Sequence, residues 1–208
     1  MNSFIPALRA QLQTLPGEES HVEAMPLNRP FSSLALQTAE HFRQSAVGIV
    51  VYPLQGAWKS VLIQRPNYEG THSNQIAFPG GKKDSDDPDL EFTARRECHE
   101  EIGLPVDLGI CLGRLTSVYI PVSQFIVEPY IFFVEELPEL RAEPREVASI
   151  IPFDLSILRD DQILQRTDMR FKDGIVRKDI PYFSIEGKIV WGATAMMLAE
   201  LRAILKRI

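Results

Sequence analysis

Apolar positions along the chain change period several times, and each change marks an element. Phe4, Leu8, Leu12 and Leu15 recur at helical spacing behind Ser3, which predicts an opening helix capped by that serine. Polar residues punctuated by proline and glycine then fill the stretch from Pro16 to Pro30, which reads as a linker or wrapping arm. β-Favouring runs follow at Ala46–Tyr52, Ser60–Gln64 and Gln75–Phe78, and again at Gly109–Tyr119, Ile126–Val134 and Ala148–Ile151. Between them, Leu90–Ile102 has helical composition. Asp86, Asp87 and Asp89 stand at its positive end, and Gly103 and Pro105 mark its stop. A hairpin pairs Pro181–Ile185 with Lys188–Trp191 through Glu186-Gly187. A last helix carries Met197, Leu201, Ile204, Leu205 and Ile208 as one stripe. Strands interleaved with helices predict an α/β (α+β) fold, a mixed β-sheet sandwiched between helices. The expected organisation is an N-terminal helix and linker extension over residues 1–45 and one domain over 46–208.

Composition narrows the function classes. With 208 residues, 45% apolar and 24% charged, the chain can bury a core. Its net charge of −6 argues against a nucleic-acid partner, since binding a phosphate backbone needs basic surface. No run approaches the roughly 18 apolar residues of a membrane span. No basic stretch leads into an apolar one at the N-terminus, so no secretory signal is expected. Cys98 and Cys111 are too few for a disulfide framework, which suggests a reducing, cytoplasmic setting. A small phosphorylated ligand stays open, because a bound divalent cation inverts the local sign.

The chemistry concentrates between Gly80 and Leu104. Glu97, Glu100 and Glu101 fall within an arc of about 100° on one helix face. Like charges so placed repel, unless a hard cation such as magnesium or manganese sits among their oxygens. Such an ion neutralises a diphosphate and lowers the pKa of a bound water. Arg96 lies four residues before Glu100 and can brace it. Taken alone, the acidic run also fits a solvated helix face. The preceding Phe78-Pro79-Gly80-Gly81 loop favours a site.

This segment resembles the Nudix hydrolase family, whose signature is G-x5-E-x7-R-E-U-x-E-E-x-G-U. Arg96 to Leu104 matches its second half, with Cys98 in the first aliphatic position. The first half departs from it. Counted from Gly81, the loop is one residue longer, and Pro88 replaces the first glutamate, leaving Asp86 or Asp87 as the nearest acid. The longer loop looks like the coenzyme A pyrophosphatase-like branch, whose upstream signature is L-L-T-x-R-[SA]-x3-R-x3-G-x3-F-P-G-G. Leu62, Arg65, Phe78, Pro79, Gly80 and Gly81 match that signature, whereas Pro66, Gly70 and Asn74 do not. Trp191-Gly192-Ala193-Thr194-Ala195 also looks like this branch.

The resemblance implies a metal-dependent pyrophosphohydrolase for a nucleoside diphosphate linked to another moiety. Coenzyme A or its thioesters lead, with 3′,5′-ADP and 4′-phosphopantetheine fragments as products. ADP-ribose or dinucleoside polyphosphates are alternative substrates, and a nucleotide sensor without catalysis is the alternative class. Glu97 and Glu101 would ligate Mg2+ or Mn2+, with Glu100 a third or water-mediated ligand. The catalytic set would be Glu97, Glu100 and Arg96, with Glu97 first choice as base. Arg65, Gly80 and Gly81 would bind the substrate phosphates. Glu146 matches the place from which related enzymes bring a remote acid, though a surface carboxylate is the default. Many relatives pair as homodimers, and that is the analogy for this chain.

Other residues carry weaker readings. Lys82 and Lys83 could offset phosphate charge or simply be solvated, and His72 could touch substrate or sit in a turn. Cys98 and the Met196-Met197 pair read as core.

Overall fold

The computed structural model describes residues 3–27, 29–67, 73–171 and 174–208. Gly70 and His72 lie outside the described residues. The helices are α1 (Phe4–Gln11), α2 (Ser32–Gln37), α3 (Leu90–Ile102) and α4 (Gly192–Leu205). The strands are β1 (Arg43–Leu54), β2 (Ala57–Gln64), β3 (Ile76–Ala77), β4 (Gly80–Lys82), β5 (Ile110–Arg114), β6 (Val118–Ile120), β7 (Phe125–Phe133), β8 (Ser149–Asp154), β9 (Leu164–Arg170), β10 (Val176–Ile185) and β11 (Lys188–Trp191).

The main sheet runs β3-β2-β1-β7-β5, with β4 beside β1, β6 beside β7 and β8 beside β2. β1 is its axis. It lies parallel to β7 from Arg43↔Phe125 to Val51↔Phe133 and antiparallel to β4 and β2, so the sheet is mixed. Both faces of β1 are buried, as a strand covered on each side by a helix should be. On one face α3 contributes Ala94, Cys98 and Ile102, packed with Val50, Val61, Ile63 and Phe132. On the other, α4 sets its Met197, Leu201, Ile204 and Leu205 stripe against Ile49, Val51 and Ile131. A second sheet, β11-β10-β9, leans on that side. No described helix is long and apolar enough to cross a membrane.

Ser3 makes no side-chain cap bond at α1, because its own backbone is already helical and its oxygen is not placed over the first turn. The 16–30 stretch is ordered by contact: a 3-10 helix, Glu18–Ala24, buries His21 and Ala24 against α4. α2 was not expected, since its six residues are too short to show a periodic stripe. The expected strand over 109–119 is two strands, β5 and β6, on different stretches of β7. Between them Thr116 leaves the ladder and gives both its N–H and its hydroxyl to Glu200. β9 (LQRTDMR) lacks alternation because most of its side chains face outward, so no apolar pattern announces it.

α3 begins and ends as its sequence predicts. The Asp89 carboxylate accepts the Phe92 N–H at 2.8 Å, and Gly103 closes the helix at φ +73°, a left-handed conformation suited to glycine.

Candidate active site

The site lies where α3 faces the β4 turn. Glu97, Cys98 and Glu101 lie on the inward face of α3: Cys98 fills the core, and its thiol is pushed up by burial and away from nucleophilic use. Glu97 and Glu101, offset around the helix, face the glycine loop. Glu101, 1% exposed, accepts the Gly80 N–H at 2.7 Å. Gly81 lies so close to the Glu97 carboxylate that a side chain there would run into it, which explains the glycine.

Glu146 reaches the same place from a later loop. Arg141 N–H and Glu143 N–H donate to the Ile102 and Glu101 carbonyls at 2.9 and 3.0 Å, tying the 141–147 segment to the end of α3. A tight turn then closes with Val147 N–H to the Glu143 carbonyl at 2.8 Å, and Val147 is buried beside Ile102. The turn leaves exposed Glu146 with Glu97 and Glu101, each with an oxygen within 4.8 Å of the others.

Arg96 holds this arrangement together. Its Nε and Nη2 donate to Asp87 at 3.0 and 2.9 Å, its Nη1 to Glu97 at 2.9 Å and Glu100 at 2.8 Å, and its Nη2 to the Lys82 carbonyl at 3.0 Å. Asp87, buried at the helix entrance, also accepts from Thr93 Oγ1 and Asp84 N–H, at 2.9 and 3.0 Å. The Arg96 hydrogen bonds keep Asp87 well below the usual carboxylate range. Of the two acids near the missing glutamate, Asp87 is the one bound to Arg96. Glu100 is exposed and bonded to Arg96, outside the Glu97–Glu101–Glu146 group.

The electrostatics of the trio differ from those of Asp87. Burial pushes Glu101 up to about 8, against the pull of Arg65 and of the Gly80 N–H, and Glu97 and Glu146 add to the rise. Burial also raises Glu97, though Arg96 opposes it. Three clustered carboxylates with too little positive charge are a donor set suited to a hard divalent cation. Glu97, Glu101 and Glu146 would hold it.

Beside this group opens a cavity of about 770 Å³. Gly80, Gly81, Lys82 and Arg65 line its carboxylate end. Arg65 Nη2 donates to the Gly80 carbonyl at 3.0 Å and stands 3.6 Å from Glu101, so the same guanidinium shapes the loop and faces the cavity. Lys83 instead donates to the Asp87 carbonyl at 2.7 Å. Two walls were not foreseen. One is the N-terminal arm, with Pro26, Leu27, Arg29 and Pro30. The other comes from the second sheet, where Arg177 lies 4.2 Å over the Phe171 ring and Phe171 meets Trp191 edge-on at 5.2 Å. Met197, expected in the core, is buried and also lines this cavity. No periodicity marks Arg29, which lies in the proline- and glycine-punctuated stretch that reads as a linker or wrapping arm.

A family model described as NUDIX domain matches residues 42–169. The Nudix hydrolase NudL of Yersinia pestis (strain Pestoides F), itself described as uncharacterized, is 30% identical over 142 residues, covering 68% of this chain and 69% of that protein. Among solved structures, the MutT protein of Methanosarcina mazei Go1 superposes with a TM-score of 0.53 at 15% identity, covering 82% of this chain and 100% of that one. A MutT/nudix family protein of Enterococcus faecalis does so at 0.52 and 16%, covering 91% and 74%. At these identities the two structures speak for the fold alone.

Proposed function

The chain belongs to the Nudix family and is a pyrophosphohydrolase of it, and we propose that it cleaves coenzyme A or its thioesters to 3′,5′-ADP and a 4′-phosphopantetheine fragment. The observation that carries this reading is the carboxylate trio set against a large cavity behind the Arg65…Phe78-Pro79-Gly80-Gly81 sequence. A magnesium or manganese ion, when bound, supplies charge neutralisation and a water of lowered pKa.

The chain's own groups do the rest. A side chain at Gly80 would run into β1 at Ala46 and Val47 and one at Gly81 into the Glu97 carboxylate, so the two glycines keep the loop backbone close to the cluster that the diphosphate would face. Arg65 and Lys82 face the phosphates from the cavity wall. Water attacks one phosphorus, its proton passes to a carboxylate of the cluster, and the bridging P–O bond breaks to leave two phosphomonoesters. Glu97 is the first choice as acceptor, and Arg96, bonded to it at 2.9 Å, fixes where its oxygens point. Arg96 and Glu100 act here as positioning residues, with the arginine's donors committed to Asp87, Glu97, Glu100 and the Lys82 carbonyl.

The test is a panel of coenzyme A, an acyl thioester of it, ADP-ribose and a dinucleoside polyphosphate, each with purified protein and magnesium or manganese. Coenzyme A or its thioester should give the highest kcat/KM. Faster cleavage of ADP-ribose or of the dinucleoside polyphosphate would overturn the substrate assignment. Binding without turnover of any of them would make the protein a sensor.

A further inference from the structure

The cavity has a one-sided charge. Its lining holds Arg29, Arg65, Lys82 and Arg177 and, among the described residues, no aspartate or glutamate, although the whole chain carries a net charge of −6. Arg65 is matched by Glu101. Among the described residues no acid pairs with Arg29: its guanidinium donates from Nη2 to the Tyr119 carbonyl at 2.6 Å, a neutral acceptor. Desolvation alone lowers its pKa, with no acid nearby to offset that cost. A guanidinium offers five donors in a planar fork, and among the described residues the Nη2 bond to the Tyr119 carbonyl is the one Arg29 makes with it while lining the cavity. Its backbone is steadied by the flanking prolines, and the arm behind it is fastened to α4 through Gly17 and His21 on Glu200, at 3.0 and 3.4 Å. Half-buried Arg29, lining an open cavity with no described acid beside it, is placed to meet an anion from the ligand.

We propose that Arg29, supplied by the arm that precedes the matched domain, binds a substrate phosphomonoester separate from the diphosphate being cleaved. A diphosphate would already have Arg65, Lys82 and a cation held by the trio at the glycine end. Arg29 lines the cavity on the arm, beside Pro26, Leu27 and Pro30, and bonds the Tyr119 carbonyl. For its substrate this inference rests on the coenzyme A reading, where the 3′-phosphate is the group concerned. The existence of the anion site does not depend on that reading.

The experiment therefore has two arms. In the first, calorimetry on the full chain compares 3′,5′-ADP with 5′-AMP, which lacks only the 3′-phosphate, and inorganic phosphate serves as competitor. Wild type should prefer 3′,5′-ADP by about tenfold or more, the scale of a charge-assisted hydrogen bond, and Arg29→Gln should erase most of that preference. Arg29→Lys should keep part of it, provided both variants melt within a few degrees of wild type. In the second arm, the ratio of kcat/KM for coenzyme A over dephospho-coenzyme A should fall by a similar factor in Arg29→Gln. Equal loss of 3′,5′-ADP and 5′-AMP affinity would assign Arg29 a merely structural bond to Tyr119 and overturn the proposal, as would an unchanged ratio. Competition by inorganic phosphate as strong as by 3′,5′-ADP would also overturn it, by marking a free-anion site. Retained 3′,5′-ADP discrimination without coenzyme A turnover would instead defeat the substrate reading and leave the anion site standing.

Discussion

Two regions of this molecule bury glutamates, and they treat them in opposite ways. On α4, Glu200 is 0% exposed in the middle of an apolar stripe. Burial alone would raise it, yet hydrogen bonds from His21 and Thr116 outweigh the cost and hold it below the usual carboxylate range. Its two oxygens accept from Gly17 N–H, Thr116 N–H and Thr116 Oγ1 at 3.0, 2.8 and 2.7 Å, and face His21 at 3.4 Å. On α3, Glu101 is almost as deeply buried, but it receives one N–H and a distant guanidinium and is pushed up to about 8. The lesson is that burial does not mark function. What differs is whether the protein supplies the compensating donors itself. Glu200 is complete, and it pins the N-terminal arm to the core. The α3 trio is left short of positive charge, and that shortfall is what suits it to a cation.

The largest effect is expected where the contrast is removed on the α3 side. Glu97→Gln and Glu101→Gln should each lower metal-dependent turnover on the order of 10³-fold or more, the scale of losing a group that stabilises the transition state. Their thermal midpoints should stay at or above that of wild type, because each change relieves repulsion within the trio. Unchanged turnover in both would leave the trio without a role. Asp87→Asn should act more mildly, about 10–100-fold on metal affinity or turnover, since it loosens Arg96 and only through it the position of Glu97. Manganese titrations in the two backgrounds distinguish the direct from the transmitted loss.

The same comparison shows what could be read from the sequence. The bounds of α3, with Asp89 before it and Gly103 after it, follow from local chemistry, and so does the placing of Glu97 and Glu101 toward one side. Glu100 shares that arc by angle, and its side chain is taken by Arg96, the bracing that their four-residue spacing allows. Glu146 belongs with the trio only because backbone bonds at Arg141 and Glu143 fasten a later loop to the end of α3, an event of tertiary structure. Glu200 was hidden for the same reason. The stripe of Met197, Leu201 and Ile204 correctly announced a core helix, while the partners of the glutamate within it come from the arm and from Thr116. Arg29 and Arg177 lie on segments without periodicity, so the cavity's cationic lining emerged only from the fold.

On the α4 side the effects should be reversed and smaller. Glu200→Gln keeps the shape but sets an amide N–H2 against donors that expect an oxygen, leaving at least one buried group unsatisfied. A loss of about 2–3 kcal/mol follows, or a fall of roughly 5–10 °C in Tm for a chain of this size. Metal affinity measured on the folded variant should stay near wild type. A variant as stable as wild type would mean that the arm is held by other contacts.

The smallest expected effect is the pH dependence of that difference, and its sign follows from the direction of the shift. Glu200 is held below its ordinary range in the folded state, so in acid the unfolded chain takes up the proton first, and stability rises with pH across that window. The contribution is fully present above the ordinary carboxylate range and is lost as pH falls through the lower, folded value. The urea midpoints of wild type and Glu200→Gln should therefore be well separated at pH 7 and converge as the pH drops below about 4. Other acids titrate in both proteins and cancel in the difference. His21 bonds the same carboxylate at 3.4 Å, so the pair is compared again in a His21→Gln background. There the convergence should persist, because Thr116 and Gly17 still favour the charged carboxylate. A gap that stayed constant down to pH 3 would show that these hydrogen bonds hold the neutral acid equally well, and the contrast between the two buried glutamates would then be one of position alone.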